Sequence, residues 1–174
     1  MAPEPCSIAV LYDDAASRGR AIQLCDHLIR QFWQDMQFRV NWWRTSHLED
    51  ADVSQAAAWS LRHARIVILA AVNRTEMPER LQRWLQSALA NSTVDVRMFV
   101  AIAGELPGFA NQPAPIVRAL QKCATTAGMD FLPRLTPEEN LLALIDRDKP
   151  ASAAGMSNFL SAILDQPHPP PSGR

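Results

Sequence analysis

Two adjacent carboxylates, Asp13 and Asp14, stand directly after the apolar run of residues 7–12. Paired acids at the end of a strand can contribute to a hard-cation site, although two carboxylates alone bind such an ion weakly. A helix cap and solvated turn use the same residues, because Asp14 or Ser17 is placed to accept from the first free N–H groups of a helix. Ser17-Arg18-Gly19-Arg20 follows at that helix start, where backbone N–H groups and arginine together suit an anion. The segment has a single glycine and matches neither the dinucleotide fingerprint nor the P-loop, so no cofactor is implied. Asn73, Arg74, Thr75 and Glu76 follow the second apolar run, residues 66–72, and Glu105 follows the third, residues 96–103. Glu76 and Asp14 are the acids at hand for cleaving a nucleoside or NAD.

Other reactive side chains are dispersed. The four histidines form no pair with metal-ligand spacing, and Cys6, Cys25 and Cys123 contain no C-x-x-C motif. An odd number of separated cysteines argues against a disulfide framework and a zinc site and fits a reducing compartment. Cys25 falls on the apolar stripe of a helix, where a cysteine packs. Trp33, Trp42, Trp43, Trp59 and Trp84 are numerous for 174 residues, and core packing accounts for most tryptophans at helical or strand spacing. Trp42 and Trp43 differ because neighbours on a strand point to opposite faces. On an edge strand, one of these rings becomes a partly exposed interaction anchor.

The elements that position these residues are legible from apolar periodicity. Strands are read over residues 7–12, 66–72 and 96–103, whose apolar runs Ile8–Leu11, Ile66–Leu69 and Met98–Ile102 suit strands covered on both faces. Residues 38–43 alternate instead, with Phe38, Val40 and Trp42 on one side and Arg39, Asn41 and Trp43 on the other, the pattern of an edge strand. Residues 130–135 form a weaker fifth strand, and Pro133 restricts it to an edge. Helical spacing predicts helices over residues 18–36, 52–64, 78–89 and 116–127, the last stopping at Gly128. In the second helix Val53, Ala56, Ala57 and Leu61 are expected to face inward. Thr136-Pro137-Glu138-Glu139 opens a further helix as a capping box, and residues 157–164 form a last one. Five strands alternating with helices, with edges at the second and fifth, predict a three-layer doubly wound parallel sheet in the order 2-1-3-4-5. Residues 1–166 are read as a single domain and 167–174 as a disordered proline-rich tail.

Composition narrows the function. A net charge of -1 gives no electrostatic case for nucleic acid or an anionic membrane. The N-terminal residues lack the pattern of a signal peptide, and no apolar run approaches a membrane-spanning length, so a cytoplasmic location is expected. Arginine strongly outnumbers lysine, a bias typical of GC-rich bacterial genomes.

Asp13-Asp14 resembles the acidic pair that holds magnesium in response-regulator receiver domains. That chemistry requires a phosphoacceptor carboxylate ending strand 3 and a lysine ending strand 5. Here strand 3 ends Ala70-Ala71-Val72, and the base near strand 5 is Arg134. Tyr12-Asp13-Asp14 closing strand 1, an alanine-rich second helix, the Arg65–Leu69 run and a following helix carrying Trp84 resemble a TIR domain over residues 7–135. Both resemblances imply a flavodoxin-like sheet. NAD-cleaving TIR domains carry a W-x-x-x-E glutamate, whereas this chain reads Trp84-Leu85-Gln86-Ser87-Ala88. Alanine at 88 cannot stabilise an oxocarbenium charge, so NAD cleavage is not expected on this alignment.

The expectation is a non-catalytic, TIR-like protein-interaction or signalling module, with Trp42 and Trp43 as candidate interaction residues and self-association implied by the resemblance. The alternative is nucleotide or flavin-type binding between strands 1 and 3 through Asp13, Asp14, Ser17, Arg18, Asn73, Arg74 and Glu76, or NAD or nucleoside cleavage there. No metal, nucleic-acid or membrane partner is expected.

Overall fold

The unbroken apolar runs become strands buried at every position, β3 (Ile66–Ala71) and β4 (Met98–Ala103). Residues with no polar alternation have no face to offer water, so they lie at the centre of the sheet. The computed structural model describes residues 5–92, 94–104 and 114–134. Its sheet has five parallel strands in the order β2-β1-β3-β4-β5, where β1 is Cys6–Tyr12, β2 is Phe38–Arg44 and β5 is Asp130–Arg134. This is the flavodoxin-like order expected from the sequence.

The helices are α1 (Ala15–Phe32), α2 (Ala51–His63), α3 (Glu79–Leu89) and α4 (Pro115–Thr126). The chain leaves β1 in opposite directions for β2 and for β3 to β5, and right-handed crossovers then put helices on opposite faces. Ala21, Leu24, Cys25 and Leu28 of α1 join the even-numbered core residues Ile8, Val10, Ile66, Ile68, Val100 and Ile102. On the other face α2, α3 and α4 cover Ala9, Leu11, Val67, Leu69, Phe99 and Ala101. Cys6, Cys25 and Cys123 are buried, and burial pushes the Cys25 thiol up to about 12 and that of Cys6 to about 11.

Local differences from the expected pattern have physical causes. Helix α1 begins at Ala15 because Asp14, in extended conformation, caps it. In α2 the buried stripe is Ala57, Ser60 and Leu61, while Ala56 is exposed. Alanine is too small to mark an inward face by itself. Gly128 follows α4 with φ +71°, the left-handed stop that glycine favours. The expected helices after residue 135, the tail, Glu105 and the Arg134 side chain lie outside the described residues.

One close approach fixes the carboxyl ends of the two central strands. A Cβ added at Gly104 would lie 2.2 Å from the Val72 carbonyl oxygen. At the opposite ends Arg97, only 4% exposed, donates from Nε to Ala64 O (3.1 Å), from Nη1 to Leu89 O (3.4 Å) and from Nη2 to Leu61 O. One guanidinium thereby ties the C-terminal ends of α2 and α3 to the start of β4.

Candidate functional site

The strand order brings the segments after β1, β2 and β3 to one end of the sheet. Asp14 accepts from the Ser17 backbone N–H on Oδ1 (2.8 Å) and from Asn73 Nδ2 on Oδ2 (2.7 Å). These two bonds hold its carboxyl below the ordinary value of 3.8, with the backbone bond the largest cause. Asp13 accepts from Thr45 Oγ1 on Oδ1 (2.9 Å) and from Arg74 Nε on Oδ2 (2.6 Å). The Asp13 bond raises the pKa of Arg74. Ser17, fully buried, accepts the Val72 N–H on Oγ (3.1 Å), which pins the end of β3 to the first turn of α1.

The structure therefore brings together five of the candidate residues in two adjoining hydrogen-bonded sets, Asp14 with Ser17 and Asn73, and Asp13 with Arg74. Each carboxylate oxygen already has a donor, and an anion approaching the start of α1 meets two carboxylates. Among the described residues, no group of three or more His, Cys, Asp or Glu could hold a metal. Arg18 lies apart from both sets. Its guanidinium carbon is 6.0 Å from the Tyr12 ring centroid and 5.6 Å from that of Trp42, a cation–π arrangement. Glu76 is exposed. Thr45 was missed in the sequence, yet it directly follows β2, the neighbour of β1, so the rule that selected residues after strands 1 and 3 extends to it.

A cleft of about 270 Å³ opens next to these sets. The turn Thr45–Glu49 forms one wall, with Ser46 and Leu48, and the start of α3 forms the other, with Pro78, Leu81 and Trp84. Trp84 is held by its indole N–H, which donates to Ser54 Oγ at 2.7 Å. Arg74 and Arg80 bring positive charge to this apolar lining and Glu49 brings negative charge. A guanidinium fixed through Nε beside apolar walls can pair with a small carboxylate or phosphate. Ala88 is buried within the face under α3 and is absent from the cleft lining.

The other candidate feature is the outer edge of β2. Phe38, Val40 and Trp42 pack toward the α1 face and Trp43 toward the α2 face, and both tryptophans are half-buried. The indole N–H of Trp43 is buried and has no hydrogen-bond partner among the described residues. Cys6 stands opposite Phe38 and donates its N–H to Gln37 O at 2.7 Å. In a parallel ladder this turns the backbone groups of Arg39, Asn41 and Trp43 toward β1 and those of Phe38, Val40, Trp42 and Arg44 outward. Two further tryptophans are exposed, Trp33 at 65% and Trp59 at 62%, and Trp59 stacks on His63 with ring centroids 4.3 Å apart.

No protein-family model matches this chain, and no curated protein matches its sequence. Among solved structures it is similar to FerB, described as a flavoenzyme NAD(P)H:(acceptor) oxidoreductase, from Paracoccus denitrificans. The identity is 12% over 91% of this chain and 93% of that one, with a TM-score of 0.43.

Proposed function

We propose that this chain is a protein-interaction module of the TIR-like signalling kind, and that it associates with a second copy of itself through the outer edge of β2. The observation that carries the reading is the row of outward backbone groups on Phe38, Val40, Trp42 and Arg44, along a seven-residue strand without proline whose two charged residues, Arg39 and Arg44, stand at positions that can pair with aromatic rings. Unpaired strand edges template pairing with another chain unless proline, a bulge, a covering element or unpartnered charge blunts them. The other edge, β5, is blunted. Asp130 donates its N–H to Arg97 O, so the Pro133 nitrogen, which lacks a hydrogen, falls on the outer side. The half-buried Trp42 and Trp43 supply aromatic area beside this edge, which no described strand pairs. A cytoplasmic setting goes with this reading, since the three cysteines are free and buried. No helix among the described residues is long and apolar enough to cross a membrane.

Val40→Pro tests the reading. The substitution removes an outward N–H and leaves the bonds between β1 and β2 in place, and proline is accepted on an edge of this kind. Wild-type protein is expected to sediment at twice the 19.3 kDa chain mass, and the variant at 19.3 kDa with an unchanged circular dichroism spectrum. A wild-type chain that stays at 19.3 kDa at every concentration contradicts the proposal. If such a monomer were instead stabilised by a nucleotide, a flavin or a small carboxylate, function would move to the cleft beside Arg74.

A further inference from the structure

We propose that the two copies pair β2 with β2 in antiparallel fashion about a two-fold axis at Asn41, joining two five-stranded sheets into one of ten strands. This rests on the reading of the β2 edge as a self-association surface and specifies its register. A closed pair of identical chains uses the same patch twice, so if residue i faces residue j, then j faces i. Strand β2 therefore meets its own reversed copy.

Backbone parity limits where the axis can fall. Hydrogen bonds across an antiparallel pair are exchanged only between residues whose N–H and C=O both point outward. In β2 these are Phe38, Val40, Trp42 and Arg44. Each must face another member of that set, so the axis passes through a residue and not between two. An axis at Asn41 pairs all seven residues of the strand. Phe38 then faces Arg44 of the second copy, Arg39 faces Trp43, Val40 faces Trp42, and Asn41 faces itself. An axis at Val40 or at Trp42 leaves two residues of the strand without a strand partner.

The side chains favour the same register. Directly opposed residues of an antiparallel pair share a face, and each arginine of β2 now lies opposite an aromatic ring, Arg39 on Trp43 and Arg44 on Phe38. With the axis at Val40, Arg39 would face Asn41. With the axis at Trp42, Arg44 would face Val40. No like charges are opposed at Asn41. The amide of the second copy's Asn41 becomes the diagonal neighbour of Trp43 on the α2 face.

Asn41→Cys in the full chain tests the axis. Asn41 and its mate form a non-hydrogen-bonded pair with Cα atoms about 4.5 Å apart, within reach of a disulfide. The native thiols are buried and contribute little background. Mild oxidation is expected to convert the variant to a covalent dimer that a reductant reverses, while Val40→Cys, whose partner is Trp42, stays uncrosslinked. A spin label at exposed Arg44, introduced as Arg44→Cys, gives a second readout that leaves Asn41 intact. Six residues of offset place the two labelled Cα atoms about 20 Å apart, and each one-residue movement of the axis changes this by about 7 Å. Wild-type dimers combined with an uncrosslinked Asn41→Cys variant, or with a label separation near 13 or 27 Å, overturn the register and leave self-association standing. A wild-type monomer overturns the reading beneath it.

Discussion

Arg97→Met is expected to lower the stability of the fold by about 3–5 kcal/mol, because the substitution strands buried backbone acceptors. The guanidinium bonds to the carbonyls of Leu61, Ala64 and Leu89 from a position only 4% exposed. Exchanging a whole buried ion pair for apolar residues can be neutral, because both partners leave together. Here the partners are main-chain carbonyls at the C-terminal ends of α2 and α3, and no substitution at 97 removes them. Burial lowers the Arg97 pKa to about 10, so the side chain is still a cation at neutral pH and still complements the negative helix ends. Arg97→Lys keeps the charge but loses the fork that reaches several carbonyls at once, and falls between the two. Urea denaturation measures both variants. A loss below about 1 kcal/mol for Arg97→Met would show that these carbonyls do not depend on the guanidinium.

Gly104→Ala is expected to lower the melting temperature by about 10 °C, corresponding to roughly 3 kcal/mol for a chain of this size. The new methyl would meet the Val72 carbonyl oxygen at 2.2 Å and its carbon at 3.2 Å, so backbone must move. Val72 has little freedom to yield. Its N–H donates to the buried Ser17 hydroxyl, and the adjoining Asn73 and Arg74 are bonded to Asp14 and Asp13. The displacement therefore spreads from the end of β4 through the end of β3 into the hydrogen-bonded sets beside the cleft. Thermal denaturation checks this, and an unchanged melting temperature would mean that the two segments separate freely.

Much of the architecture was legible because the strands differ in kind. Ile66–Ala71 and Met98–Ala103 have no polar position, which forces them to the interior, while the alternation of residues 38–43 and Pro133 mark the two edges. The order of the sheet follows from those signals. The exposure of Trp33 was not readable, since it follows Cys25 and Ile29 at helical spacing and α1 ends at Phe32, just before it. Nor was the exposure of Trp59, because the alanines around it leave the inward face of α2 weakly marked. Arg97 was hidden for a different reason. Its acceptors lie 8, 33 and 36 residues away in sequence, and only the folded helix ends bring them together. At the carboxyl end of the sheet the sequence identified Asp13, Asp14, Ser17, Asn73 and Arg74 as neighbours. It did not reveal that they engage one another, because hydrogen-bond pairing among five polar groups depends on rotamers and not on spacing.

The most direct test of the central claim is amide hydrogen exchange along β2 at increasing protein concentration. The amides of Arg39, Asn41 and Trp43 face β1 and should be protected at every concentration. Self-association through this edge predicts that Val40 and Trp42, whose amides point outward, are unprotected when dilute and gain protection as the chain is concentrated. If Val40 and Trp42 exchange at the unprotected rate at all concentrations, the β2 edge is not where this protein meets its partner.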